Sequence, residues 1–192
     1  MLKKRVGVLI SGRGSNMRAL VEAGRAPSYP AEVVLVASNV ADAGGIAWAK
    51  AQGIATVVVS HKSYPSREAF DAALNTELQK HKLDLICCAG FMRIMTPVLI
   101  TPWSGRMLNI HPSLLPEYKG LHNHARAIAD GRKEAGCTVH FVTEELDGGP
   151  IIAQARVPIL PDDTEDTLSA RVLAEEHPLY VLALAQVASL SV

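Results

Sequence analysis

The chain has 192 residues, of which 48% are hydrophobic and 20% are charged, and its 19 lysines and arginines balance its 19 acidic residues. This composition is typical of a globular domain with a sizeable core, and it excludes a chain that is disordered throughout. The balanced charge creates no overall field that would attract nucleic acid or an acidic membrane, so any anion site must be local.

Nothing in the sequence predicts export or membrane insertion. The apolar stretch that follows the basic start at residues 3–5 is too short for a signal peptide, and glycines interrupt it. No run of about 18 apolar residues predicts a membrane span. The three cysteines, Cys87, Cys88 and Cys137, form no CxxC pair. We therefore expect reduced thiols and a cytoplasmic protein.

Strand and helix patterns alternate through the first half of the chain. Short apolar, β-branched runs predict strands, and apolar residues recurring on one face predict helices, with Ser66 as an N-cap. The predicted strands are 5–11, 33–38, 55–60, 83–89 and 106–111, and the predicted helices are 17–23, 43–51, 66–81 and 96–100. This order predicts an α/β fold with a mostly parallel, doubly wound sheet and helices on both faces.

The second half of the chain has a different rhythm. A predicted helix at 124–130 is followed by two strands, 137–143 and 151–159, which residues 144–150 separate. This spacing predicts a long hairpin, so the sheet should become mixed here. Thr164 predicts the cap of a long final helix. Without a linker or an internal repeat, we expect residues 1–192 to form a single domain.

A glycine loop at residues 12–16 joins the first predicted strand to the first predicted helix. In an α/β sheet this position offers backbone N–H groups to an anion. The loop is not a dinucleotide fingerprint, because Met17 stands where the third glycine is needed, and no Gly-Lys-Ser/Thr of a P-loop follows. Two interpretations stay open: a phosphate held by Gly14, Ser15 and Asn16, or a tight turn with a helix cap.

Asn109 and His111 close the strand at 106–111. Side chains alternate along a strand, so both point to the same face, and Pro112 should end the strand there. Ligands bind at this carboxyl edge of open α/β sheets. An amide beside an imidazole could stabilise an oxyanion and move protons in acyl transfer. The alternative is two polar residues that merely cap a strand.

Asp147 lies among glycines in the connection at 144–150. A carboxylate in that setting is typical of a turn, and from spacing alone the turn is favoured. The same carboxylate could instead approach His111 and fix its tautomer.

The other residues capable of chemistry are weaker candidates. His122 and His124 could join His111 around a metal, but no acidic or thiolate partner stands at ligand spacing, so no metal site is expected. Cys87 and Cys88 lie in an apolar strand, which predicts packing residues rather than nucleophiles.

Residues 109–116, Asn-Ile-His-Pro-Ser-Leu-Leu-Pro, together with Leu-Asp-Gly-Gly-Pro at 146–150, resemble the folate-dependent formyltransferase family. Four further stretches are similar to the members of that family that act in purine biosynthesis, namely 10–16, 89–94, 120–122 and 139–143. The resemblance is collinear from Val6 to about Tyr180. It is specific because of the combination, since any one stretch alone would be a weak signal.

The resemblance implies a formyltransferase fold with a Rossmann-like, phosphate-binding half at about 1–105 and a catalytic, folate-binding half at about 106–192. It implies transfer of a formyl group from 10-formyltetrahydrofolate, as co-substrate, to the amine of glycinamide ribonucleotide in de novo purine (IMP) biosynthesis. The partners would be these small molecules, with no nucleic acid, membrane or metal, and the chain would be a monomer or a homodimer.

The resemblance also assigns roles to residues. It implies catalysis by Asn109, His111 and Asp147. The positions that would bind glycinamide ribonucleotide are Gly14, Ser15, Asn16 and Glu176. The positions that would contact the folate are Arg67, Met92, Arg93, Ile94, Met95, Asn109, Thr143, Glu144, Glu145, Leu146 and Asp147. Two departures concern the site: Lys119 stands where many relatives have proline, and Asn123 where threonine is frequent.

Three other functions compete with this one. Formyltetrahydrofolate hydrolase shares the catalytic residues but usually carries an extra N-terminal domain, whereas the first strand here begins close to Met1. Methionyl-tRNA formyltransferase would need a basic RNA-binding domain at the C-terminus, for which this neutral chain has no room. A non-catalytic phosphate- or nucleotide-binding protein would explain the glycine loop but would leave Asn109, His111 and Asp147 without a role.

Overall fold

A computed structural model describes residues 2–190 of the chain, so the ends of the expected 1–192 domain lie outside the described residues. In this range, seven strands form one sheet. They are β1 (Lys4–Ile10), β2 (Ala31–Ser38), β3 (Ala55–Val58), β4 (Leu85–Cys88), β5 (Met107–His111), β6 (Glu134–Phe141) and β7 (Ile151–Pro158).

The sheet has the order β3-β2-β1-β4-β5-β6-β7. The first five strands in this order run parallel, while β6 is antiparallel to β5 and β7 is antiparallel to β6. The prediction of a mostly parallel sheet that becomes antiparallel towards the C-terminus is therefore confirmed. The carboxyl ends of β1, β4 and β5 meet at one edge, where the loops after them can share a ligand.

Within residues 2–190 there are six α-helices, of which five lie between strands and the sixth follows β7. They are α1 (Ser15–Gly24), α2 (Gly44–Ala51), α3 (Arg67–Gln79), α4 (Pro97–Ile100), α5 (Asn123–Ala129) and α6 (Glu165–Leu190), with short 3₁₀ turns at His61–Ser63 and Thr101–Trp103. Helices α1, α2 and α6 contribute to the apolar core on one face of the sheet, and α3 and α4 contribute to the core on the other. Helices on both faces are thus confirmed.

Several boundaries differ from the sequence prediction. Helix α1 begins at Ser15, two residues earlier than predicted, because Gly14 in the left-handed region turns the chain directly into the helix. Strand β6 begins at Glu134 and ends at Phe141, so the predicted strand 137–143 is wrong at both ends. Glu134 and Gly136 have little β-propensity, but pairing with β7 holds them in the ladder.

The caps of α3 and α6 were predicted correctly. The Ser66 hydroxyl accepts a hydrogen bond from the Ala69 N–H, and the Thr164 hydroxyl accepts one from the Thr167 N–H. Helix α6 continues through Pro178 to Leu190.

Tyr180 of α6 anchors this helix beneath the carboxyl edge of the sheet. Its side chain is fully buried, and its hydroxyl group lies 3.0 Å from the Cys88 carbonyl and 3.2 Å from the Leu108 carbonyl. Leu108 precedes Asn109, so the helix supports the strand end that carries the candidate catalytic residues.

No helix within residues 2–190 has the length and apolar character to cross a membrane.

Candidate active site

Asn109 and His111 lie side by side on one face of β5, as strand alternation predicted. The antiparallel register places His140 of β6 opposite Asn109 and Thr138 opposite His111. Leu108 and Ile110, the alternate residues of β5, point into the core on the other face. Four polar side chains from two strands are therefore grouped on the face that leads to the carboxyl edge of β5.

Both ring nitrogens of His111 face an oxygen atom. Nδ1 lies 3.5 Å from Oδ2 of Asp147, and Nε2 lies 3.1 Å from the carbonyl oxygen of Tyr118. The side chains of His111 and Asp147 are only 7% and 9% exposed. Each ring nitrogen thus has an oxygen atom nearby that can accept a hydrogen bond.

Asp147 is both a turn residue and a neighbour of His111. Its backbone φ is +50°, in the left-handed region that aspartate tolerates better than most residues. Its Oδ2 atom accepts a hydrogen bond of 2.9 Å from the Gly120 N–H. The turn sets the backbone conformation of Asp147, and the Gly120 amide holds its carboxylate. A turn residue can therefore also lie beside the imidazole.

His140 belongs to this cluster, and the sequence reasoning gave it no role. Its Nε2 atom lies 3.2 Å from Nδ2 of Asn109 and 3.9 Å from Oδ1 of Asp147. Burial lowers the pKa of His140, and this outweighs the opposing effects of a hydrogen bond to Phe141 and the charge of Asp147. The signal was the alternation at 137–141, where polar Thr138 and His140 interrupt apolar residues, as Asn109 and His111 do in β5.

Asn123 supports the loop that faces His111. Its side-chain N–H₂ group donates to the carbonyls of Tyr118 and Gly120 and lies 3.1 Å from Nε2 of His111. Because both amide hydrogens have carbonyl acceptors, Nε2 is left to donate to Tyr118. Asn123 therefore supplies two hydrogen-bond donors, whereas a threonine hydroxyl at this position would supply one.

The glycine loop ends at the N-terminus of α1 and packs tightly against α2. Gly14 has a φ of +70° and precedes the first helical residue, Ser15. The Gly45 N–H donates to the Gly12 carbonyl at 3.0 Å, and a Cβ atom at Gly45 would lie 2.3 Å from Ile10. The first-turn N–H groups of α1 lack helical partners and can bind an anion.

Asn16 and Glu176 meet beside this loop. The Asn16 side-chain amide donates to Oε2 of Glu176 at 2.7 Å, and both residues are buried. Burial raises the pKa of Glu176, against the lowering effect of the Asn16 hydrogen bond. Oδ1 of Asn16 has no hydrogen-bond partner among residues 2–190. The four residues predicted to bind glycinamide ribonucleotide are thus contiguous, with Asn16 linking the loop to the acid.

The loop after β4, the strand that pairs with β5, presents exposed apolar side chains. Met92 and Ile94 are 66% and 53% exposed. The Met92 N–H donates to the Ser11 hydroxyl at 2.8 Å, and the Thr96 N–H donates to the buried Asp71 carboxylate at 2.6 Å. The loop is therefore held at both ends while its apolar groups stay open to a ligand.

The remaining predicted folate contacts on this side differ in exposure. Arg67 is the exposed first residue of α3, and the Arg93 guanidinium stacks over Phe70 with 5.9 Å to the ring centre. Met95 packs against the core. The structure thus places Met95 partly in the interior, whereas Met92 and Ile94 face solvent.

The loop at 143–147 follows β6 and contains the other predicted folate contacts. The Thr143 hydroxyl lies 3.4 Å from the Glu145 carbonyl, Glu144 is exposed, and Leu146 is 56% exposed. Lys119 donates to the Glu145 carboxylate at 2.7 Å and so lowers the pKa of Glu145. The lysine that replaces the frequent proline thereby ties the two loops around His111 together.

The cysteines show the packing character that the sequence predicted. Cys87 and Cys88 are buried, and burial raises the pKa of Cys87 to about 12, which makes these thiols poor nucleophiles. Within residues 2–190, no group of three His, Cys, Asp or Glu side chains is placed to hold a metal ion.

Comparison with known proteins gives concordant relatives. The profile of the family described as "Formyl transferase" matches residues 4–184. The chain is 48% identical over 177 residues to phosphoribosylglycinamide formyltransferase of Escherichia coli, covering 92% of this chain and 84% of that protein. The crystal structure of phosphoribosylglycinamide formyltransferase from Brucella melitensis is 54% identical and superposes with a TM-score of 0.93, covering 99% of this chain and 98% of that one.

A second group of relatives is much longer. The chain is 52% identical over 185 residues to the trifunctional purine biosynthetic protein adenosine-3 of Drosophila melanogaster, and this alignment covers 95% of the chain. The chain spans only 14% of the length of that relative.

Proposed function

Because the chain belongs to the formyl transferase family, we propose that it transfers the formyl group of 10-formyltetrahydrofolate to the amine of glycinamide ribonucleotide, in de novo purine biosynthesis. One observation carries the chemical part of this proposal. Asn109, His111 and Asp147 converge at the carboxyl edge of the sheet, with His111 Nδ1 3.5 Å from the Asp147 carboxylate. An amide donor beside an imidazole and a carboxylate suits acyl transfer to an amine.

The glycine loop supports a phosphorylated acceptor. The N–H groups of Gly14, Ser15 and Asn16 would bind the phosphate at the positive end of α1. The Glu176 carboxyl group, held by Asn16 at 2.7 Å, would bind the ribose and lie near the amine. The acceptor would then lie between the carboxyl ends of β1 and β5, with its amine directed towards the catalytic cluster.

The two loops around the catalytic cluster support a folate donor. Met92, Ile94 and Leu146 expose apolar surface beside polar backbone, as a flat heterocyclic ring requires. Arg67, Arg93 and Met95 would complete this pocket on one side, and Thr143, Glu144, Glu145 and Asp147 would form its other wall. The pterin would lie between these loops and place N10 and the formyl group near Asn109.

In the proposed mechanism the neutral amine attacks the formyl carbon and a tetrahedral intermediate forms with its negative charge on oxygen. The Asn109 amide N–H and the protonated His111 would stabilise this oxygen. The gap of 3.5 Å between Nδ1 and Asp147 is longer than a charge-assisted hydrogen bond of about 2.8 Å. The formyl oxygen or a water molecule can therefore share the Nδ1 proton.

Proton movement completes the reaction. The attacking nitrogen must lose a proton, and N10 of the folate must gain one before the C–N bond breaks. His111 and a water molecule held by Asp147 would carry these protons. The step needs neither a metal nor a covalent enzyme intermediate.

We also propose that residues 1–192 act as a single domain in this reaction, with a phosphate-binding and a catalytic half.

A labelling experiment tests the proposed function directly. The purified chain is incubated with 10-formyltetrahydrofolate that carries ¹³C in its formyl group, and the product is identified by mass spectrometry. We expect the label in formylglycinamide ribonucleotide. Label recovered as free formate, with or without the acceptor, would instead assign the hydrolase activity, which gives the glycine loop no role.

A further inference from the structure

His140 lies opposite Asn109 on the neighbouring strand β6, with its Nε2 atom 3.2 Å from the Asn109 Nδ2 atom. We propose that His140 is a positioning residue that fixes the orientation of the Asn109 carboxamide, so that one amide N–H faces the formyl oxygen. This inference rests on the proposed function for its consequence in catalysis, while the placement of the two side chains stands independently of it.

The first step is the tautomer of His140. Its Nδ1 atom lies 2.9 Å from the carbonyl oxygen of Phe141. A carbonyl oxygen only accepts hydrogen bonds, so Nδ1 must carry a proton. In the neutral ring the other nitrogen, Nε2, is then unprotonated and presents its lone pair to Asn109.

The second step is the orientation of the amide. An unprotonated Nε2 can accept a hydrogen bond from the Asn109 N–H₂ group but would repel the lone pairs of the amide oxygen. The ring therefore selects the rotamer in which Nδ2 faces β6. One of the two amide hydrogens is taken by His140, and the second remains for the substrate. Without His140 the amide could turn and present its oxygen to a developing oxyanion, which would be repulsive.

The third step is the charge state on which this selection depends. His140 is 2% exposed, and burial disfavours the cation. Three charged or titratable groups also act on the ring: Asp147, with Oδ1 3.9 Å from Nε2, favours the cation, whereas His111 and Lys119 oppose it. Burial is the largest effect, so the neutral ring prevails. If the His140 ring were protonated, its Nε2–H would donate to the Asp147 carboxylate, and the hydrogen bond from the Asn109 amide would be lost.

Steady-state kinetics of a double-mutant cycle tests whether His140 acts through Asn109. We expect His140→Leu to lower kcat by about 10- to 100-fold with little change in either KM, since a misoriented donor is lost only in the transition state. His140→Gln offers an oxygen near the position of Nε2 and should recover much of this rate. Added to Asn109→Ala, His140→Leu should cost little more.

Two kinetic outcomes would overturn the proposal. One is that the costs of His140→Leu and Asn109→Ala multiply, which would mean that His140 acts independently. The other is that His140→Gln is as slow as His140→Leu, which would mean that an acceptor is not what the site needs.

A measurement without turnover keeps the inference separate from the proposed function. In ¹⁵N NMR of the wild-type protein near neutral pH, we expect Nδ1 of His140 to be protonated and Nε2 to be unprotonated. In Asn109→Ala the Nε2 resonance should move towards that of a nitrogen without a donor. An Nε2–H tautomer, or a resonance that Asn109→Ala leaves unmoved, would overturn the placement even if the wild-type protein formylates its substrate.

Discussion

The Asp147 carboxylate lies 3.5 Å from Nδ1 of His111, and the two side chains are only 9% and 7% exposed. Groups that are buried together are screened little by salt, so the contact between the carboxylate and the ring should depend little on ionic strength. Nε2 on the opposite side of the ring meets the Tyr118 carbonyl. The ring is thus held between two acceptors, which is the arrangement that a proton carrier needs.

Removal of the imidazole should abolish most of the activity. We expect His111→Ala to lower kcat by about 10² or more, because general acid–base catalysis by a positioned side chain typically contributes this much. His81→Ala is the matched control, since His81 lies beyond the end of α3 and outside the catalytic cluster. Turnover by His111→Ala close to that of the control would contradict the role given to His111.

Asp147→Asn separates the charge of this residue from its structural hydrogen bond. The asparagine oxygen can still accept from the Gly120 N–H, which donates at 2.9 Å to Asp147, so the turn should persist. We expect kcat to fall about tenfold or more, equivalent to about 1.4 kcal/mol of lost transition-state stabilisation. Equal kcat values for Asp147→Asn and wild type, measured at saturating substrates, would show that the charge is not needed.

Gly14→Ala tests the phosphate loop. Its φ is +70°, which strains any L side chain, and an added Cβ would lie 2.8 Å from the terminal methyl of Met17, so that side chain must also move. We expect a raised KM for glycinamide ribonucleotide and little change in the KM for the folate.

Gly53→Ala provides the matched control for Gly14→Ala. Gly53 has a similar φ of +74°, with nothing within 4 Å of an added Cβ. Both variants should lose about 1 kcal/mol of stability from left-handed strain, but only Gly14→Ala should affect the acceptor. An unchanged KM for the acceptor in Gly14→Ala would argue that the loop is a plain helix cap.

The buried His140 makes stability depend on pH. Its pKa in the folded chain is below the ordinary value of about 6.5, so the unfolded chain binds the proton more readily. The stability due to the neutral ring is therefore present above about pH 6.5 and is lost as the pH falls towards the folded-state pKa. Urea unfolding at neutral and mildly acidic pH should show a larger loss for wild type than for His140→Gln. Equal losses would mean that His140 does not titrate as described.

Asn123 is expected to stabilise the loop that faces His111. In Asn123→Ala the carbonyls of Tyr118 and Gly120 lose their donor, which should cost about 1–3 kcal/mol of the free energy of unfolding. Because the Tyr118 carbonyl also meets His111, kcat should fall as well. Asn123→Thr restores one donor and should lie between the two in urea unfolding. A fully stable, fully active Asn123→Ala would remove this residue from the account.

The order of elements and the shared face of Asn109 and His111 could be predicted because the responsible patterns are local. Alternation along 106–111 placed Asn109 and His111 on one face, and the Ser66 and Thr164 caps followed from single residues. The limits of β6 could not be predicted, since residues such as Glu134 join the strand through pairing with β7. Such pairing depends on distant residues and overrides local propensity.

The parts of the site that the sequence did not predict are those made by register and by loop closure. His140 became a neighbour of Asn109 only through the antiparallel pairing of β5 and β6. Lys119 was noted from the sequence only as a departure from the family pattern, but its ammonium group bonds to the Glu145 carboxylate. An exposed ion pair of this kind typically contributes about 0–1 kcal/mol to the free energy of unfolding. We therefore expect it to hold the two loops together rather than to stabilise the fold.

The most direct test of the central claim is a spectroscopic assay of folate turnover, run with and without glycinamide ribonucleotide. We predict release of tetrahydrofolate only when both 10-formyltetrahydrofolate and the amine acceptor are present, and a release that is slower by about 10² or more with His111→Ala. Turnover that does not depend on the acceptor would contradict it in favour of the hydrolase. Binding of a phosphorylated ligand without any turnover would contradict it in favour of a non-catalytic phosphate-binding protein.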